Sequence, residues 1–113
     1  MKKDPKIFLK DILKSTEKIE KYTHKLTRKE FFQKDETQDA VIKRLEIIGE
    51  AVKNIPGKIR NKYSIIPWKK VAGMRDILIH EYFGINLERV WTTIKKDLPE
   101  LKKQIEKILE KTK

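Results

Sequence analysis

Cysteine is absent from this chain of 113 residues, and histidine occurs only twice. A disulfide framework and a cysteine-ligated metal site are therefore excluded, and two histidines are too few for a dedicated transition-metal site. Long hydrophobic runs are missing as well. Charges interrupt every apolar stretch of the N-terminal MKKDPKIFLKDILK, which excludes a secretory core, and nothing approaches the roughly 18 apolar residues that cross a bilayer. Glycine-rich loops, internal repeats and low-complexity linkers are lacking, and so is the polar–apolar alternation of half-buried strands. These absences leave the expectation of a soluble, cytoplasmic protein with no membrane association, no cofactor and no metal, whose chemistry rests on arginine, histidine, tyrosine and carboxylates.

Positive charge is plentiful. Lysine and arginine total 28 against 17 acidic residues, a formal net charge of +11. Such an excess attracts polyanions and speeds encounter with nucleic acid. Lysines interspersed with glutamates on helix faces are equally the habit of heat-adapted surfaces, so charge alone leaves both readings open.

Helical spacing accounts for most of the chain, and its length fits one helical domain over 1–113. Asp4-Pro5 reads as a cap followed by a first-turn proline, and Ile7, Leu9, Ile12, Leu13, Ile19, Tyr22 and Leu26 then recur at helical spacing, predicting a helix to about Lys25. TRKEFFQKDETQ reads as a connector from which Phe31 and Phe32 fold back on the core, with Asp35 or Thr37 capping the next helix. DAVIKRLEIIGEAVKNI places Val41, Leu45, Ile48, Val52 and Ile55 on one stripe, flanked by Ile42 and Ile47, until Pro56-Gly57 stops it. Pro67 is poised for the first turn of a helix carrying Trp68, Val71, Met74, Leu78 and Glu81, which Gly84 ends. Asn86 caps NLERVWTTIKKDL, and Asp97 with Pro99 restarts the chain as LPELKKQIEKILEKTK. The expected architecture is an all-α up-and-down bundle.

One stretch, MRDILIHEYFG at 74–84, sets an arginine, an acid and a histidine into an oily run. At about 100° per residue, Met74, Leu78, Glu81 and Ile77 define the side facing the bundle. Arg75 and His80 flank the opposite face, which also carries Asp76 and Ile79. An apolar Ile79 among charges calls for a cover, and a second copy of the same helix across a two-fold axis would supply one, bringing two arginines and two histidines into one cleft. Arginine offers a planar fork of donors to phosphate, and histidine titrates near neutrality, so the pair suits phosphodiester chemistry. Tyr82, nearly in line with Arg75, adds a hydroxyl that could bind a phosphate or be modified. The plain alternative is that a lone Arg, His or Tyr on a helix is solvated or packed. His24, in KYTHKLT, has no motif around it and is read that way.

Arg75-Asp76-Ile77-Leu78-Ile79-His80-Glu81-Tyr82 matches the pattern R-x-x-x-x-H-x-Y, and in this it resembles the HepT-like toxins of the HEPN superfamily of ribonucleases. The blocks DAVIKRLEIIGEAVKNIP, IPWKKVAGMRDILIHEYFGINLERVW and DLPELKKQI extend the resemblance across 39–105. It implies a HEPN-like helical fold and a metal-independent endoribonuclease working as a homodimer on RNA. It also implies a type VII-like toxin–antitoxin pair, with an MNT-type nucleotidyltransferase antitoxin that moves AMP from ATP onto the motif tyrosine. By the same resemblance Arg75 and His80 are the catalytic pair and Tyr82 the AMP acceptor. The residue after the arginine is commonly asparagine or another polar group in that family. Here it is Asp76, whose carboxylate disfavours RNA phosphate and raises the histidine's pKa. Glu46, in LEIIGEA, matches a recurrent acid of the family and is read as a supporting residue, catalytic or structural. Two further readings stay open: a non-catalytic helical module that binds a nucleotide or serves as adaptor to a nucleotidyltransferase, and a basic structural bundle in which Arg75 and His80 are dispensable.

Overall fold

A computed structural model describes residues 4–74 and 86–111. Seven α-helices and one π-helical turn order these residues, and among them there is no strand. Helix α1 spans Pro5–Thr23 and starts as its sequence demands, with the Asp4 carboxylate accepting the Lys6 N–H at 2.9 Å and proline in the first turn. Its buried face carries Leu9, Ile12 and Ile19 together with Ser15, Thr16 and Thr23. Two of these hydroxyls are satisfied within the helix, Thr16 donating to the Leu13 carbonyl at 2.7 Å and Thr23 to that of Ile19 at 2.8 Å.

The presumed connector is itself partly helical. Helix α2, Arg28–Gln33, begins with a capping box: the Glu30 N–H donates to the Thr27 hydroxyl at 3.1 Å, and the Thr27 N–H donates to the Glu30 carboxylate at 3.0 Å. The bonds that the Glu30 carboxylate accepts, first from the Thr27 backbone and then from its hydroxyl, hold the Glu30 carboxyl below its ordinary value. Phe31 is fully buried and Phe32 packs at the core's edge, as expected. Helix α3, Asp35–Lys53, is not capped by Asp35 or Thr37. Lys34 takes the cap position without a side-chain bond, while Asp35 and Glu36 lie in the first turn, where negative charge suits the helix dipole. The stripe Val41, Leu45, Ile48, Val52 and Ile55 is buried throughout.

Pro56-Gly57 ends α3 as read, but the chain turns at once into α4, Gly57–Lys62, and then α5, Trp68–Ala72, for which Pro67 is the cap residue; α5 closes at Gly73, so the helix expected to run unbroken from Pro67 to Gly84 is interrupted there. Beyond the undescribed segment, the Asn86 side chain accepts the Arg89 N–H at 3.2 Å and opens α6, Leu87–Thr92. The restart expected at Asp97-Pro99 does not occur. A π-helical turn, Thr93–Asp97, carries the helix without interruption into α7, Leu98–Lys111. In it the Leu98 N–H reaches back five residues to the Thr93 carbonyl. Proline in a regular helix clashes with the carbonyl four residues earlier and leaves it without a donor, and a widened turn accommodates this defect without a break.

Helix α1 packs against both α3 and α7, α3 also packs against α5, and α2 touches α3 and α6. One core cluster draws on all of them except α4, from Leu9 through Phe31 and Ile48 to Ile108. Ile48→Ala, at a fully buried site, is expected to cost about 2–5 kcal/mol in urea unfolding, whereas Ile65→Ala should stay within about 0.5 kcal/mol, because Ile65 is 79% exposed.

Candidate functional site

Arg75, Asp76, His80 and Tyr82, with the interface candidate Ile79, lie outside the described residues. The structure does describe what holds both chain ends of their segment. On the N-terminal side Trp68, Val71 and Met74 are buried. The Trp68 indole N–H is shared between the carbonyls of Arg60 at 3.2 Å and Tyr63 at 3.1 Å, which pins the start of α5 to the end of α4. On the C-terminal side the Asn86 cap fixes the start of α6, and Val90 and Ile94 anchor that helix in the core. Glu46 is half-buried on α3, beside the core residue Leu45, on a helix that packs against α5.

Two depressions border Met74. One, of about 300 Å³, is lined by Lys70, Glu88, Arg89, Thr92 and Asp97 among others. The second, of about 280 Å³, runs between Ile65, Pro67 and Val71 on one side and Leu101 and Gln104 on the other. Both signs of charge meet in the first: Lys70 lies 3.5 Å from Asp97, and Glu88 is held by the Arg28 guanidinium. Lys70 and the hydroxyl of Thr92 can donate to an anion entering there, while the carboxylates limit its approach.

The Arg28–Glu88 pair is the best-formed ionic contact among the described residues and joins α2 to α6. Arg28 Nε donates to both Glu88 oxygens, at 2.8 and 3.1 Å, and a terminal nitrogen adds a further bond. The guanidinium stands 4.5 Å over the Phe32 ring, and the neighbouring Phe31 ring lies 5.3 Å from that of Trp91. These hydrogen bonds from Arg28, more than charge attraction, hold the Glu88 carboxyl below its ordinary value, and the same bonds raise Arg28. Nothing in the sequence announces a pair sixty residues apart. His24 is exposed at the end of α1, its ring nitrogen 3.2 Å from the Lys21 carbonyl, beside a cavity of about 250 Å³ shared with Glu20, Lys95 and Lys102. Among the described residues no three histidine or acidic side chains converge to hold a metal ion, and no helix is long and apolar enough to cross a membrane.

Residues 12–108 match the family model for HepT-like ribonucleases. A Methanocaldococcus jannaschii protein named as a gamma-glutamylcyclotransferase and candidate RNase is 56% identical over 110 residues, which are 97% of this chain and 50% of that protein, so the chain spans about half of that relative's length. A Caldanaerobacter subterraneus protein named as a candidate RNase is 46% identical, covering 98% of this chain and 99% of its own. A Thermococcus cleftensis protein named as a candidate ribonuclease HepT is 45% identical, covering 96% and 98%. No solved structure matches.

Because the folded Glu88 carboxyl sits below its unfolded value, its pairing stabilises the protein above the ordinary carboxylate pKa of about 4.3 and is lost as pH falls through the lower folded value. Wild type is therefore expected to exceed Glu88→Gln in thermal stability at neutral pH, with the gap closing on acidification. A gap that persists in acid would mean the pair's charge is not its source.

Proposed function

The chain belongs to the HepT-like ribonuclease family, and from that premise we propose that it is a metal-independent endoribonuclease whose cutting site is built on Arg75 and His80. The observation that carries this reading is the motif Arg75-x4-His80-x-Tyr82, which stands inside the span matched by the family model. In this reading residues 1–113 form one HEPN-like helical unit. Two copies set their motif faces together across a two-fold axis, covering Ile79 and composing one RNA cleft.

The chemistry follows from the residue types. The ribose 2′-oxygen attacks the adjacent phosphorus as His80 takes its proton. The bond from phosphorus to the 5′-oxygen breaks, and that oxygen leaves with a proton from a histidine acting as general acid, which a dimer can supply from its second copy. Arg75 binds the phosphoryl oxygens through its fork of donors as negative charge accumulates on them. The products are a 2′,3′-cyclic phosphate and a 5′-hydroxyl. In this reading the Asp76 carboxylate weakens phosphate binding, while Glu46 supports the motif from α3.

Tyr82 is the regulatory position. An MNT-type nucleotidyltransferase antitoxin, transferring AMP from ATP onto the Tyr82 hydroxyl with release of pyrophosphate, would leave a bulky anion beside Arg75 that occupies the phosphate site and repels RNA. The chain is then the toxin of a type VII-like pair.

Cleavage of single-stranded RNA is expected to persist in EDTA, to spare DNA, and to fall by roughly a hundredfold or more in both Arg75→Ala and His80→Ala. Dependence on added divalent metal, or full activity in both variants, would reject the mechanism in favour of a nucleotide-binding adaptor or a structural bundle. Tyr82→Phe should keep appreciable cleavage yet resist silencing by the nucleotidyltransferase and ATP, whereas the wild-type chain gains the mass of AMP at Tyr82 and stops cutting.

A further inference from the structure

The positive charge of this protein is not spread evenly. The stretch 51–75 holds seven of the 28 cations and none of the 17 acids, so these 25 residues carry +7 while the remaining 88 carry +4. On α1, by contrast, Lys6, Lys10, Lys14, Lys18 and Lys21 are interspersed with Asp11, Glu17 and Glu20. Interspersed charge is what a solvated or heat-adapted surface needs, and segregated charge is not.

The fold gathers part of this stretch into one surface. Helices α4 and α5 meet in an open, shallow depression of about 880 Å³, with Arg60, Asn61, Ser64, Lys69 and Lys70 among its lining residues and Trp68 beneath them. Among the described residues that line it, none is acidic. Lys69 is exposed, as are Lys58 and Lys62 on α4, while the exposed Lys70 lies 3.5 Å from Asp97. Arg60 is held in place, its Nε donating to the Ile55 carbonyl at 3.0 Å and a terminal nitrogen to that of Val52 at 2.8 Å. Trp68 is 7% exposed and its N–H is committed to two carbonyls, so it forms part of the floor rather than an aromatic anchor for a protein partner.

We propose that the α4–α5 depression is a phosphate-tracking surface that holds single-stranded RNA on its way to the Arg75–His80 site. The proposal rests on the ribonuclease reading given above. Flexible ammonium groups along an open trough suit a polymer with one anion per nucleotide, and contacts to phosphate carry no base identity, so the grip is independent of sequence. Ala72, also a lining residue, precedes Arg75 by three positions, so covalent geometry keeps their Cα atoms within about 11 Å. A strand lying in the trough is thereby delivered beside the motif.

The test replaces Lys58, Lys62 and Lys69 together by glutamine and leaves the structural Arg60 and the Asp97-paired Lys70 untouched. In a His80→Ala background, binding of a single-stranded oligoribonucleotide followed by fluorescence anisotropy should weaken roughly ten- to hundredfold, and the slope of log affinity against log salt should become shallower by about two. A control that removes the same charge from α1, K10Q/K14Q/K21Q, should stay within about twofold. With His80 intact, K58Q/K62Q/K69Q should raise KM for a long RNA and leave turnover of a dinucleoside phosphate, too short to reach the trough, unchanged. Equal losses in the triple variant and the α1 control would reduce the effect to net charge and overturn the proposal. Unchanged RNA binding with lost binding of polyglutamate would assign the trough to an acidic polypeptide and overturn it as well. If the wild type cuts no RNA while the triple variant still loses RNA binding with the shallower salt slope, the trough stands as an RNA surface and the ribonuclease reading is what fails.

Discussion

Helix α1 has to be covered from two sides at once, and most of the architecture follows from that. Its fully buried residues Leu9, Ile12 and Ile19 serve an interface with α3 and another with α7. The wide stripe of α3 and the Leu98, Leu101, Ile105 and Ile108 row of α7 meet this demand. So broad a buried face also takes in Ser15, Thr16 and Thr23, of which Thr16 and Thr23 are tolerable because their hydroxyls return to carbonyls of their own helix.

The end of α3 is where this frame passes into the functional region. A helix terminus leaves carbonyls without intrahelical donors, and here Arg60 donates to that of Val52, which also accepts the Ile55 N–H, and to that of Ile55. That contact fixes α4 against α3, and the Trp68 N–H in turn fixes α5 against α4. The chain enters the motif segment from this twice-pinned corner. A basic residue and a tryptophan therefore do structural work next to Lys58, Lys62 and Lys69, which are exposed to solvent, a division that composition does not reveal.

On the other side of the segment, α6 begins at the Asn86 cap and runs through a π-helical turn into α7. Val90 and Ile94 before Asp97, and Leu98 and Leu101 after it, are all buried in the same core. Breaking the helix at Pro99 would expose one of these groups, so widening a single turn is the smaller cost. Lys95 stands 4.7 Å over the Trp91 ring within this turn, and Trp91 in turn packs against Phe31 of α2.

The helical periods of α1, α3 and α7, the caps at Asp4 and Asn86, the core stripe of α3 and the stop at Pro56-Gly57 were all legible in the sequence, because each depends on neighbours within about one or two turns. The capping box of α2 was missed: its signal, Thr27-x-x-Glu30, stands in the sequence, but a six-residue helix is too short to show a period and the segment reads as a connector. Other features depended on residues far apart in the chain. The Arg28–Glu88 pair, the pinning of α5 by Trp68 and the trough between α4 and α5 exist only once the helices have packed. The same holds for the fate of Asp97-Pro99: local rules favour a new helix start there, and only the burial of apolar residues on both sides of the proline decides for a continuous helix with one widened turn.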